Sequence, residues 1–148
     1  MTDADESPHP RPDFDPASHA ELALLLEVAG TPKPGNVDRT HDFADLRFEQ
    51  FLAGAVGARP GLAAAADPEV PLGDAFERAV AGMSQQRGDN TQFGCLLCLV
   101  PLVRTAATGA LTPERAARTV ESTTVADARA FFAAFDRVDV AVADPPED

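Results

Sequence analysis

Leu22, Leu25, Leu26 and Ala29 fall three and four positions apart, the interval that stacks side chains along one face of an α-helix. Asp15-Pro16 supplies the start of that helix, an N-cap carboxylate followed by a proline at the first helical position, and Gly30 supplies its end. The period returns at Leu46, Phe48, Phe51, Leu52, Ala55 and Val56, predicting a second helix from about Phe43 to Arg59, which Pro60-Gly61 breaks before an alanine-rich turn or two. A third, over roughly 72–83, presents Ala75, Phe76, Ala79, Val80 and Met83. After a turn at Arg87-Gly88-Asp89-Asn90, the stretch from Thr91 to Thr108 is apolar on nearly every side between Phe93 and Val103. That pattern predicts the buried centre of a bundle, with a kink or break at Pro101. Thr112-Pro113 opens a short amphipathic helix to about Glu121, and a last helix over about 124–136 carries Val125, Ala128, Phe131, Phe132 and Phe135. Val138–Val142 is too short to argue for a strand. The expected fold class is all-α, a helical bundle of about six helices.

Residues 1–14 lack periodicity and read as a disordered acidic leader, 15–140 as one all-α domain and 141–148 as a disordered tail. No run of apolar residues is long enough to span a bilayer, and the start MTDADESPHP is acidic where a targeting peptide would be basic. A cytoplasmic protein is expected. The 24 Asp and Glu against 12 Lys and Arg give a net charge of −12, which repels phosphate backbones and anionic lipid, so neither nucleic acid nor a membrane is an expected partner. One basic residue alone, Lys33, is a lysine. Acid excess, scarce lysine and abundant alanine and valine resemble halophile composition, in which carboxylates keep a surface hydrated in concentrated salt; molar KCl should then stabilise the fold.

Cys95 and Cys98 form a CxxC inside the apolar GCLLCLVPL. A zinc site needs two further ligands, and His9, His19 and His41 are distant in sequence. Buried structural thiols on one helix face, without zinc, are expected.

Three places carry candidate chemistry. The first is the loop Thr31-Pro32-Lys33-Pro34-Gly35-Asn36-Val37-Asp38-Arg39-Thr40-His41-Asp42, whose opening TPKPGN cannot be helical and which presents two cations, an amide, a permissive glycine and two carboxylates. Lys33, Arg39 and exposed N–H groups suit a polyphosphate, and Asp38 and Asp42 suit the Mg²⁺ that accompanies it. A proline-stiffened connector uses the same residue types for turn geometry alone. The second is Gly88-Asp89-Asn90-Thr91-Gln92-Phe93-Gly94 at the entry to the apolar helix, where unpaired N–H groups favour an anion and Gly94 lets a ligand or helix come close. Ordinary capping by Asp89, Asn90 or Thr91 accounts for it more simply. The third is Glu27, a carboxylate in the last turn of the apolar first helix, where the helix dipole disfavours an anion; either it faces solvent, or a cation such as Lys33 or Arg39, or Mg²⁺, balances it.

An apolar helix ending in a glutamate, then TPKPGNVDR, DFADLRFEQFL and later GDNTQFGCLLCLVPL, resembles the triphosphoribosyl-dephospho-CoA synthase family, in particular its archaeal branch. The likeness runs from about residue 20 to the end. It implies an all-α transferase that takes ATP and 3′-dephospho-CoA to 2′-(5″-triphosphoribosyl)-3′-dephospho-CoA and adenine, with Mg²⁺ and ATP as substrate. Carried onto these positions, it implies phosphate or ribose binding by Lys33, Gly35, Asn36, Arg39, Asn90 and Thr91, with Asp38, Asp42 and Glu27 as acids for the base or metal roles. Family members are longer and the likeness covers their N-terminal half. A truncated or split form is therefore expected, in which self-association or a partner chain supplies the remainder and part of the apolar helix or of the Phe131, Phe132, Phe135 face lies uncovered. A non-catalytic nucleotide-binding or scaffold subunit is the alternative.

Overall fold

A computed structural model describes residues 14–85 and 90–138. The expected leader up to residue 13 and the whole of the expected tail, like Gly88 and Asp89, lie outside the described residues. Among the described residues six helices follow one another: α1 (Pro16–Ala29), α2 (Phe48–Ala66), α3 (Leu72–Ser84), α4 (Phe93–Ala107), α5 (Pro113–Glu121) and α6 (Val125–Phe135). Among the described residues there is no β-strand, only an isolated bridge between Asp38 and His41, and the all-α expectation holds.

The start of α1 follows the expected chemistry. Asp15 accepts the Ser18 N–H at 2.9 Å, and Pro16 occupies the first turn. Arg59 of α2 then ties the two helices by ion pairs to Asp15 and Glu21, each at 3.2 Å.

Helix α2 departs from expectation at both ends. It begins at Phe48 rather than Phe43, because Asp42 accepts the Phe48 N–H at 2.9 Å and Gln50 accepts that of Arg47 at 2.7 Å. Residues before Arg47 are thereby left as loop. At the other end it runs straight through Pro60 to Ala66. Pro60 leaves the carbonyl of Val56 without its helical donor, but both residues are exposed, so that carbonyl is open to solvation. The opposite face buries Gly61, Leu62 and Ala65, which favours continued helix. Pro101 likewise sits inside an unbroken α4; the carbonyl it deprives is that of Leu97, a residue 45% exposed.

The central pair is α2 and α3, joined by the short segment 67–71 and packed antiparallel at very close range. A Cβ on Gly57 would fall 2.2 Å from the Gly82 carbonyl oxygen, so only glycine allows the two backbones to cross there. Helix α1 lies against α2, α6 against α3, and α4 contacts α1, α2 and α3. Phe76 of α3, Phe93 of α4 and Phe131 and Phe135 of α6 form an aromatic cluster with centroids 5.3–6.1 Å apart. Two phenylalanines of α6 therefore pack back onto the bundle, and Phe132 stays 62% exposed.

Helix α4 is not the enclosed centre its composition suggests. Phe93, Leu96, Val100 and Val103 are buried, whereas Gly94, Leu97, Cys98 and Leu102 are exposed. An uncharged sequence reads the same whether its second face is covered by the chain or left open.

Candidate active site

The loop between α1 and α2 is fixed at two points. Val37 is fully buried in a small apolar cluster with Val28 of α1 and Phe51 of α2, which pins the middle of the loop to both helices. Before it, Lys33-Pro34-Gly35-Asn36 makes a tight turn: the Asn36 N–H donates to the Lys33 carbonyl at 3.0 Å, and Gly35 has φ +77°. Proline second and a positive-φ glycine third is the sequence pattern of a type II turn. Gly35 thus serves backbone shape, with open space around it.

Asp38 organises the rest. Its Oδ2 accepts the Lys33 N–H at 2.9 Å, and its Oδ1 accepts the Thr40 N–H at 2.8 Å and the Thr40 hydroxyl at 2.9 Å. The N–H groups of Thr40 and Lys33 hold its carboxyl below the ordinary value of 3.8. The backbone bonds between Asp38 and His41 close the hairpin, leaving Arg39 exposed at its tip. Asn36 is exposed and accepts the Val37 N–H with its own Oδ1. Asp42, also exposed, uses Oδ1 on the first turn of α2.

Lys33 turns back onto α1, where its ammonium is paired with Oε1 of Glu27; the two side chains are 19% and 37% exposed. This supplies the cation that a carboxylate at a helix C-terminus requires. The other oxygen of Glu27 meets α4. Gln92 Nε2 lies 2.8 Å from the Leu24 carbonyl oxygen and 3.5 Å from Glu27 Oε2. The two sequence motifs, the loop and the entry to α4, therefore converge on Glu27.

At that entry Asn90 accepts the Phe93 N–H at 3.2 Å, the capping role foreseen as the simpler reading. The Thr91 hydroxyl is buried without a hydrogen-bond partner among the described residues, against Gly54 of α2. Gly94 admits no neighbour: nothing lies within 4 Å of where its Cβ would be. Gln92, only 4% exposed, was not singled out by sequence reasoning. A polar residue flanked by Thr91 and the apolar run from Phe93 was the available signal.

The cysteines are not both buried. Cys98 is exposed and Cys95 half-buried, both as free thiols, because Cys98 lies on the open face of α4. Burial pushes the Cys95 thiol up, and the nearby Glu27 carboxylate adds to that.

Among the described residues no group of three or more His, Cys, Asp and Glu side chains is placed to hold a metal ion. Both oxygens of Asp38 are engaged by loop donors, and Asp42 keeps one oxygen free of a hydrogen bond among the described residues. This donor set does not make a protein cage for Mg²⁺, which needs six oxygens; it fits an ion that arrives with its ligands on a triphosphate.

The family model for ATP:dephospho-CoA triphosphoribosyl transferase matches residues 13–148. The chain belongs to this transferase family. No curated protein and no solved structure matches it. No helix among the described residues is long and apolar enough to cross a membrane.

Proposed function

We propose that this chain acts as a triphosphoribosyl-dephospho-CoA synthase, moving the triphosphoribosyl group of ATP to the 2′-hydroxyl of a 3′-dephospho-CoA-like acceptor with release of adenine. The observation that carries this reading is the meeting of the loop cation Lys33, the carboxylate Glu27 and the start of α4 in one place, in a chain of this family. The reaction forms a bond from the acceptor oxygen to the anomeric carbon of the ATP ribose and breaks the bond from that carbon to adenine. Positive charge develops on the ribose, as in glycoside hydrolysis, and the acceptor hydroxyl must lose its proton.

Glu27 and Asp42 are the acids suited to accept that proton or to face the developing charge. Lys33 and Arg39 would clamp the triphosphate, which stays on the transferred ribose, with Asn36 and the entry to α4 adding hydrogen bonds. Mg²⁺ enters as part of Mg-ATP, with the free oxygen of Asp42 as its protein ligand. Asp38, whose carboxylate is engaged within the loop, acts by shaping it.

The test is incubation with Mg-ATP and 3′-dephospho-CoA, followed by chromatography for adenine. Adenine released in step with the triphosphoribosylated acceptor supports the reading, and its absence where Mg-ATP binds supports the second one, a nucleotide-binding subunit that needs another chain. That second reading is favoured by the open face of α4 at Leu97, Cys98 and Leu102. A neighbouring apolar cleft of about 280 Å³ is lined by Leu72, Phe76, Leu97, Val100, Val120 and Phe131. Contiguous apolar surface of this kind marks association, and light scattering that finds one chain per particle at all concentrations would count against it.

A further inference from the structure

Gln92 is buried at the first turn of α4, yet its side chain is only half satisfied. The Leu24 carbonyl can only accept a hydrogen bond, so the amide atom facing it at 2.8 Å is the nitrogen. The amide oxygen is thereby turned into the interior, where it has no partner among the described residues. A glutamine present only to fill space would be a poor choice there, because a methionine or leucine would pack without stranding an acceptor. What glutamine provides and they do not is the second amide hydrogen, on a nitrogen 3.5 Å from Glu27 Oε2. That distance is long for a hydrogen bond, as catalytic contacts often are before substrate tightens them.

The carboxylate of Glu27 is thus held from two sides, Oε1 by Lys33 and Oε2 by Gln92. These holds are not equivalent. Lys33 sits on an exposed loop and would be drawn toward a triphosphate, whereas Gln92 is anchored through α1 and through its own backbone N–H, which donates to Met83 Sδ at 3.3 Å. We propose that Gln92 is the positioning residue for Glu27, keeping its carboxylate aimed at the reacting centre once substrate phosphate has taken Lys33. The inference rests on the transferase reading above.

Gln92→Met preserves the length of the side chain and removes both donors. In this variant the melting temperature should stay close to wild type and KM for ATP should change by less than about twofold, while kcat falls on the order of tenfold or more. A residue important only for packing would lower the melting temperature and disturb kcat and KM together. Gln92→Leu, also uncharged and without either donor, should show the same split and stands in if the methionine variant does not fold.

A readout free of turnover separates this inference from the functional one: with ¹³C-labelled glutamate, the side-chain carboxyl resonance of Glu27 should move in Gln92→Met. If the wild type releases no adenine, the transferase reading falls, and a shifted Glu27 resonance still supports the coupling. An unmoved resonance, or an unchanged kcat in an active enzyme, overturns the proposal.

Discussion

The ammonium of Lys33 rests on the carboxylate of Glu27, pairing the only lysine of the chain with the only acid in the last turn of α1. Because the pair is partly open to solvent, it contributes little to stability, up to about 1 kcal/mol. Lys33→Ala should therefore leave the melting temperature nearly unchanged and weaken Mg-ATP binding in calorimetry. Nucleotide affinity equal to that of the parent would remove Lys33 from the site.

Asp38 gives the loop a pH dependence whose sign is fixed by its depressed folded-state value. Hydrogen bonds from the Thr40 and Lys33 N–H groups favour the carboxylate, so this stabilisation is complete above the ordinary value of 3.8 and is lost as pH falls below it. Acid unfolding followed from about pH 5 to about pH 2 should lose less stability in Asp38→Asn than in wild type, since the amide has no charge to surrender. Parallel curves for the two proteins would show that the carboxylate does not hold the loop.

The crossing of α2 and α3 sets a steric limit. A methyl group on Gly57 would meet the Gly82 carbonyl at 2.2 Å, whereas one on Gly94 meets nothing within 4 Å. Gly57→Ala should destabilise by about 1–3 kcal/mol or more, as overpacking does. Gly94→Ala should be neutral or stabilise by roughly 0.5–1 kcal/mol through helix propensity. Denaturant melts of both variants check the contrast, and equal effects would contradict the close crossing.

The two thiols should react at different rates. Cys98 lies in the open, while Cys95 is half-buried with its thiol pushed up by burial, then by Glu27 and Cys98. Since the thiolate is the nucleophile, iodoacetamide should modify Cys98 first and Cys95 slowly, as peptide mass spectrometry would record. Equal rates would mean that α4 opens readily at its start.

The helices were legible because their apolar period is strong, and caps such as Asp15-Pro16 and Thr112-Pro113 carry their own chemistry in the sequence. The extent of α2 was not. Whether Pro60 ends a helix depends on whether the carbonyl it strands can reach water, which is a matter of tertiary exposure. The same limit made α4 look enclosed and Cys98 buried. In the site, Glu27 with Lys33 could be anticipated, because a carboxylate at a helix C-terminus calls for a cation nearby. Asp38 looked like a free acid since the turn that hands it three donors is a property of loop geometry. Gln92 was overlooked because its partners on α1 are 65 and 68 positions away, a separation no local pattern reports.

That separation bears on the order in which the chain assembles. The α2 and α3 backbones meet across the five-residue connection 67–71, a short loop to close, whereas Gln92 must find Leu24 from 68 positions away. Loop-closure entropy grows with span, and contacts of high sequence separation form late. Pulse-labelled hydrogen exchange during refolding should protect the α2–α3 hairpin before the first turn of α4. Nucleotide added during refolding should then slow unfolding far more than it speeds folding.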